Sequence, residues 1–307
     1  MPRIEANGIE IEYEEYGKPD DPMLLLVSGF SGQMITWPDA FKQGLAEAGR
    51  RVVIFDNRDI GLSTEFTNEV PPAPRDIVKG VMAGEPMHEK VPYILNDMAA
   101  DAAGLVQALG ANKADVMGFS MGGMIVQLMA LNHPERVRTL IPVMTTSGDP
   151  ALPPATPEAQ QALTAVPEVR NADAIGDLAA QSRRVIGSHE TVRNSDEAVK
   201  AMAIRAFERS DRPMGVARQY AAILAQPRWH ERLAGVSHPT LVLHGAQDPL
   251  IRPAAGQDIA ERIPGAEIEI IEKWGHDLPE KMVPVLLNRI VPFLGKHVPE
   301  EARADVN

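Results

Sequence analysis

The sequence contains no cysteine, which excludes a disulfide framework, a thiolate nucleophile and a cysteine zinc site. Basic charge is short as well. Thirty Lys and Arg face 42 Asp and Glu, a formal net charge of -12, and that sign repels nucleic-acid phosphates and anionic headgroups. Neither a nucleic acid nor a membrane surface is expected as a partner. No stretch approaches the ~18 uninterrupted apolar residues of a spanning helix, and the start, Met1 to Gly8, lacks the apolar centre of a secretion signal. A cytoplasmic monomer or homodimer acting on a small molecule is expected.

What is present is an ordinary globular balance, 44% hydrophobic and 23% charged over 307 residues. That length suits one large core carrying an inserted subdomain. Ile4–Ala6 and Ile9–Tyr13 alternate around Asn7-Gly8, a pair suited to a tight hairpin turn. Met23–Val27 is a continuous apolar run of the kind buried on both faces of a parallel sheet. Pro38–Ala48 then reads as a helix closed by Gly49, and Arg51–Phe55 as the next strand.

Leu95, Met98, Ala102, Leu105 and Leu109 share one helical face, and Val116-Met117 lead a short strand into Gly118. Met121–Leu131 reads as a helix, Val137–Val143, Thr240–His244 and Glu267–Ile271 as strands, and Pro279–Phe293 as a closing amphipathic helix. Between them the strand signals vanish and Pro150, Pro153, Pro154 and Pro157 cluster. The expected organisation is a core of residues 1–146 and 228–296, a helical lid of 147–227, and a loose polar tail of 297–307.

The sharpest signal is Gly118-Phe119-Ser120-Met121-Gly122-Gly123, a G-x-S-x-G between a strand and a helix. Such a turn strains the serine backbone and leaves no room for side chains two residues before or after it. Serine needs a base, and histidine is the side chain suited to that task near neutral pH. Of eight histidines, His276 in Trp274-Gly275-His276-Asp277 follows the last strand, whereas His244 reads as a packed residue and His133 as a helix terminator. A carboxylate must orient the imidazole. Asp248 suits this, following a strand through Gly245-Ala246-Gln247; Asp149 is the alternative, and Asp277 reads as a helix cap. The order Ser120, Asp248, His276 is the one this type of site uses.

An oxyanion would need two backbone donors. Met121, at a helix N-terminus, and Phe30, in Ser28-Gly29-Phe30-Ser31-Gly32 after the first parallel strand, are the candidates. Gly29, Met144 and Trp274 are expected in the substrate pocket. Asp56 and Arg58 are expected to pair with each other, and most of the lid arginines, including Arg183, Arg184, Arg205, Arg209 and Arg212, to lie on solvated helix faces paired with acids.

Taken together, Ser28-Gly29-Phe30, Asp56-Asn57-Arg58-Asp59-Ile60-Gly61-Leu62-Ser63, the Ser120 hexapeptide, His244-Gly245-Ala246-Gln247-Asp248 and Gly275-His276 resemble the successive motifs of the α/β-hydrolase superfamily. Within it the chain is similar to the lid-bearing serine esterases typified by aclacinomycin methylesterase. The resemblance implies an α/β fold with a mostly parallel twisted sheet flanked by helices and an inserted helical lid. It also implies hydrolysis of a carboxylic ester through an acyl-enzyme on Ser120, without metal or cofactor. Many relatives carry histidine where Ser28 stands. Lactonase, carbon–carbon bond hydrolase and cofactor-free perhydrolase activities share this fold, and a low-turnover ligand receptor is the reading from a different class.

Overall fold

The turn residues Asn7 and Gly8 both take positive φ, 50° and 76°, and close the hairpin of strands β1 (Arg3–Ala6) and β2 (Ile9–Tyr16). In the computed structural model, which describes residues 2–298, this hairpin forms one edge of an eight-stranded sheet. Strand β3 (Met23–Val27) is buried at all five positions. It lies between β4 (Arg51–Phe55) and β5 (Ala114–Phe119), parallel to both. The sheet continues through β6 (Val137–Val143), β7 (Leu241–Gly245) and β8 (Glu267–Ile271) in the order β1-β2-β4-β3-β5-β6-β7-β8. All neighbours from β4 onward are parallel, and only β2 runs against the others, antiparallel to β1 and to β4.

Because strand side chains alternate, a strand buried on both faces feeds two cores. Leu24 and Leu26 face Phe41 and Leu45 of helix α1 (Asp39–Glu47). Helix α2 (Pro74–Met82) buries only Ile77 and Gly80, a spacing too sparse to announce a helix from periodicity. Leu25 and Val27 face the other core, built on α3 (Leu95–Ala108) and α4 (Met121–Asn132).

Four helices stand between β6 and β7: α5 (Pro157–Thr164), α6 (Ala172–Ile186), α7 (Asp196–Arg209) and α8 (Pro213–Ala225). Three of them start at side-chain caps, where Thr156, Asn171 and Ser195 accept the N–H of Ala159, Ala174 and Ala198. Helix α9 (Pro253–Arg262) follows β7. The last helix, α10 (Val283–Lys296), begins four residues later than expected because a short 3₁₀ turn, Glu280–Met282, precedes it. Of the tail expected over 297–307, residues 299–307 lie outside the described residues. Among the described residues no helix is long and apolar enough to cross a membrane.

Candidate active site

Ser120 sits between β5 and α4 with φ 57° and ψ −118°, a conformation that costs a non-glycine residue about 1–3 kcal/mol. Its neighbours explain how the turn is possible. A Cβ on Gly118 would stand 2.0 Å from the Gly122 carbonyl oxygen, and one on Gly122 would stand 2.1 Å from that of Val27. Glycine at these two positions is therefore a steric requirement, and the tight turn lifts the serine hydroxyl above the carboxyl end of β5.

His276 enters from the loop after β8 and Asp248 from the loop after β7. The His276 Nε2 lies 2.9 Å from Ser120 Oγ, and its Nδ1 lies 2.6 Å from Asp248 Oδ2. The other Asp248 oxygen accepts the N–H groups of Leu250 and Ile251, each at 2.9 Å. The structure thus brings together three side chains separated by up to 156 positions. The alternative acid, Asp149, lies elsewhere, paired with Arg262.

His276 is also held through its backbone. Its N–H donates to the Ile186 carbonyl at 2.7 Å, and Arg183 Nη1 donates to its carbonyl at 3.1 Å, both from α6. Asp277 is not the helix cap expected from sequence. Its carboxylate accepts both the N–H and the hydroxyl of Ser188 just beyond α6, because the 187–189 segment packs directly on the His276 loop.

Met121 opens α4 immediately after Ser120, so its N–H is one of the first-turn donors that have no intrahelical acceptor. Phe30 follows Gly29, whose Cα is so close to the serine that an added Cβ would stand 3.2 Å from Ser120 Cβ. Among the described residues no acceptor meets the Phe30 N–H. Ser28, where many relatives carry histidine, accepts the Trp37 indole N–H at 3.0 Å.

A cavity of about 620 Å³ opens over Ser120 and His276, lined by Gly29, Phe30, Phe119 and the facing sides of α6 and α7. Two pocket expectations are corrected. Met144 and Trp274 are fully buried and belong to the core that α1 covers, whereas the buried side chain of Met121 belongs to the core on the other face. Met144 follows β6, where its N–H is tied to Leu243 at 2.9 Å. Trp274 turns inward and donates to the Asp277 carbonyl at 2.7 Å, bracing the histidine loop from below.

The expected Asp56–Arg58 pair is also corrected. Arg58 reaches Asp101 through Nε and Nη2, each at 2.6 Å, and lies over the neighbouring rings of Phe66 and Tyr93. Asp56 instead accepts Met34 N–H, Leu62 N–H and Arg209 of α7. Burial pushes the Asp56 carboxyl up, against the pull of these donors. Arg184 does lie on an exposed face, but Arg183, Arg209 and Arg212 do not: the last two bind Asp56 and the Ser63 carbonyl of the core. Arg218, which carries no motif in the sequence, forms a buried bidentate pair with Asp59. Among the described residues no group of three or more His, Asp or Glu side chains is placed to hold a metal ion.

Comparison with known proteins places this geometry in a lineage. The profile of the alpha/beta hydrolase fold family matches residues 22–281. The chain is 27% identical to rhodomycin D methylesterase DauP of Streptomyces sp. (strain C5), covering 90% of this chain and 92% of that protein. It is 25% identical to 3-oxoadipate enol-lactonase 2 of Acinetobacter baylyi (strain ATCC 33305 / BD413 / ADP1), over 88% and 87% of the two chains. Among solved structures, a thermophilic esterase from Thermogutta terrifontis superposes with a TM-score of 0.71 at 24% identity, over 97% of this chain and all of the other. The protein is a hydrolase with methylesterase and lactonase relatives, and its chain belongs to the alpha/beta hydrolase fold family.

Proposed function

We propose that the protein hydrolyses carboxylic esters of small molecules, with Ser120 as nucleophile, His276 as general base and acid, and Asp248 as the carboxylate that orients and balances the imidazole. The observation that carries this reading is the continuous run of contacts from Ser120 Oγ to His276 to Asp248, facing an open cavity. His276 takes the serine proton as Oγ attacks the ester carbonyl, then gives it to the departing alkoxide, so an alcohol leaves and an acyl-enzyme remains. Water, deprotonated by the same ring, attacks the acyl carbon and the acid departs with Ser120 restored.

The Phe30 and Met121 N–H groups take the developing oxyanion, each contributing on the order of 3 kcal/mol. Helices α5–α8 act as the cap, with α5, α6 and α7 lining the cavity and α6 holding the His276 backbone. A cyclic ester would pass through the same steps, and the relative named an enol-lactonase keeps lactones in view. The test is a panel of aryl, alkyl, methyl and lactone esters run on wild type and Ser120→Ala. Turnover of at least one ester class, lost by about 10⁴-fold or more in the variant, is expected; tight binding with no turnover in either protein would instead indicate a receptor.

A further inference from the structure

Helix α7 carries Val199, Met202, Ala203, Ala206 and Phe207 on one face, the stripe of a helix made to be covered. Yet no residue of α7 is fully buried. The stripe faces two neighbouring cavities. One is the 620 Å³ chamber over Ser120; the other, about 350 Å³, lies between α5, α6, α7 and α8. Phe30, Ser31, Leu163, Ala203 and Ala206 line both, so on the α7 side the partition between them carries only the small side chains of Ala203 and Ala206. Leu178, Phe207 and Val216 line the second chamber and not the first, as does Val166, which is 78% exposed.

Charge on the walls of the second chamber is already paired. The guanidinium groups lining the two chambers are those of Arg170, Arg183 and Arg212. Arg170 pairs with Asp211, Arg183 donates to the His276 carbonyl, and Arg212 binds Glu65 and the Ser63 carbonyl. The Glu280 carboxylate lines the Ser120 chamber as well. In the second chamber a carboxylate on the substrate would meet only guanidinium groups already paired with acids, beside the like charge of Asp211; Arg183, in the Ser120 chamber, donates to a neutral carbonyl.

Building on the esterase reading, we infer that the substrate is an elongated ester with an uncharged, apolar end: its reacting carbonyl sits at Ser120 and the apolar end passes the Ala203–Ala206 side of α7 into the second chamber. An apolar chain would cover the α7 stripe, and the small side chains of Ala203 and Ala206 leave it a path.

The experiment measures kcat/KM for p-nitrophenyl esters of straight-chain acids and for acetates of straight-chain alcohols, from two carbons to twelve. The readout is the ratio of long-chain to short-chain kcat/KM in at least one series. In wild type this ratio should rise by about fourfold per methylene buried. Val216→Trp, which fills only the second chamber, should cut the ratio by tenfold or more, and Phe207→Ala, which enlarges it, should shift the optimum to longer chains. A ratio unmoved by both variants in both series overturns the inference. So does equal or better turnover of an ester whose far end carries a carboxylate, since that ester should fall at least tenfold below its neutral equal. Loss of short-ester turnover in Ser120→Ala tests the underlying esterase reading separately, so the two failures can be told apart.

Discussion

Arg218→Met isolates the strongest tie between α8 and the core. Arg218 and Asp59 are 1% and 0% exposed, and two hydrogen bonds of 2.8 and 2.9 Å join them as a planar fork on a carboxylate. Asp59 also receives the Tyr93 hydroxyl at 2.6 Å and the Phe66 N–H at 2.8 Å. Without the guanidinium those two donors remain, but the buried negative charge has lost its counter-ion. Breaking such a pair from one side costs about 3–5 kcal/mol, a large share of a total stability of about 5–15 kcal/mol. Asp59→Asn should cost less, because the guanidinium keeps Glu65 at 3.8 Å and the Glu69 carbonyl at 2.9 Å. The double variant strands neither, so it should cost less than the sum of the singles by about 2 kcal/mol. Equilibrium urea unfolding, followed by fluorescence of the buried Trp37, Trp229 and Trp274, measures all four corners of the cycle. A single-variant cost below about 1 kcal/mol, or strict additivity, would refute the reasoning.

Asp248→Asn should lower kcat/KM for a short ester by about 10³–10⁴-fold with little change in melting, because the amide oxygen can still accept the Leu250 and Ile251 N–H groups; steady-state assays and thermal melts check both halves. Gly118→Ala drives a methyl to 2.0 Å from the Gly122 oxygen, so a loss of about 3 kcal/mol or more in urea unfolding is expected, together with loss of turnover. His244 is fully buried, and burial pushes its imidazole below the ordinary value of 6.5. The unfolded chain therefore binds a proton that the folded one refuses, so this contribution to stability is complete above about 6.5 and is lost as the pH falls toward and through the lowered folded value. Urea midpoints between pH 7.5 and 5 should fall less steeply in His244→Gln than in wild type; an equal or steeper fall would contradict this.

Local chemistry was the legible part of the chain. Met23–Val27 and the glycines around Ser120 follow from rules that act within a few residues: burial on both faces, and the steric demands of one turn. Chain order was enough to select Asp248 over Asp149, and the structure sets the two carboxylates apart accordingly. What failed was pairing across long separations. Arg209 and Arg218 find Asp56 and Asp59 across 153 and 159 residues, and no periodicity distinguishes an arginine that docks on the core from one in water. Trp274 and Met144 failed for a different reason. Proximity in sequence to a site residue does not set the direction of a side chain, and a tight loop sent Trp274 into the core two residues from His276. A single signal could have flagged Arg218: it lies within Gly215-Val216-Ala217-Arg218-Gln219-Tyr220-Ala221-Ala222, where an arginine interrupts a small, apolar face that must be covered.

The most direct measurement is covalent. Treating the protein with a serine-directed fluorophosphonate and weighing it intact should yield a single adduct, mapped by proteolysis to the Gly118–Gly123 peptide and formed far more slowly in His276→Ala. An adduct on another serine, or ester hydrolysis that persists at wild-type rate in Ser120→Ala, would contradict the assignment of Ser120 as the nucleophile.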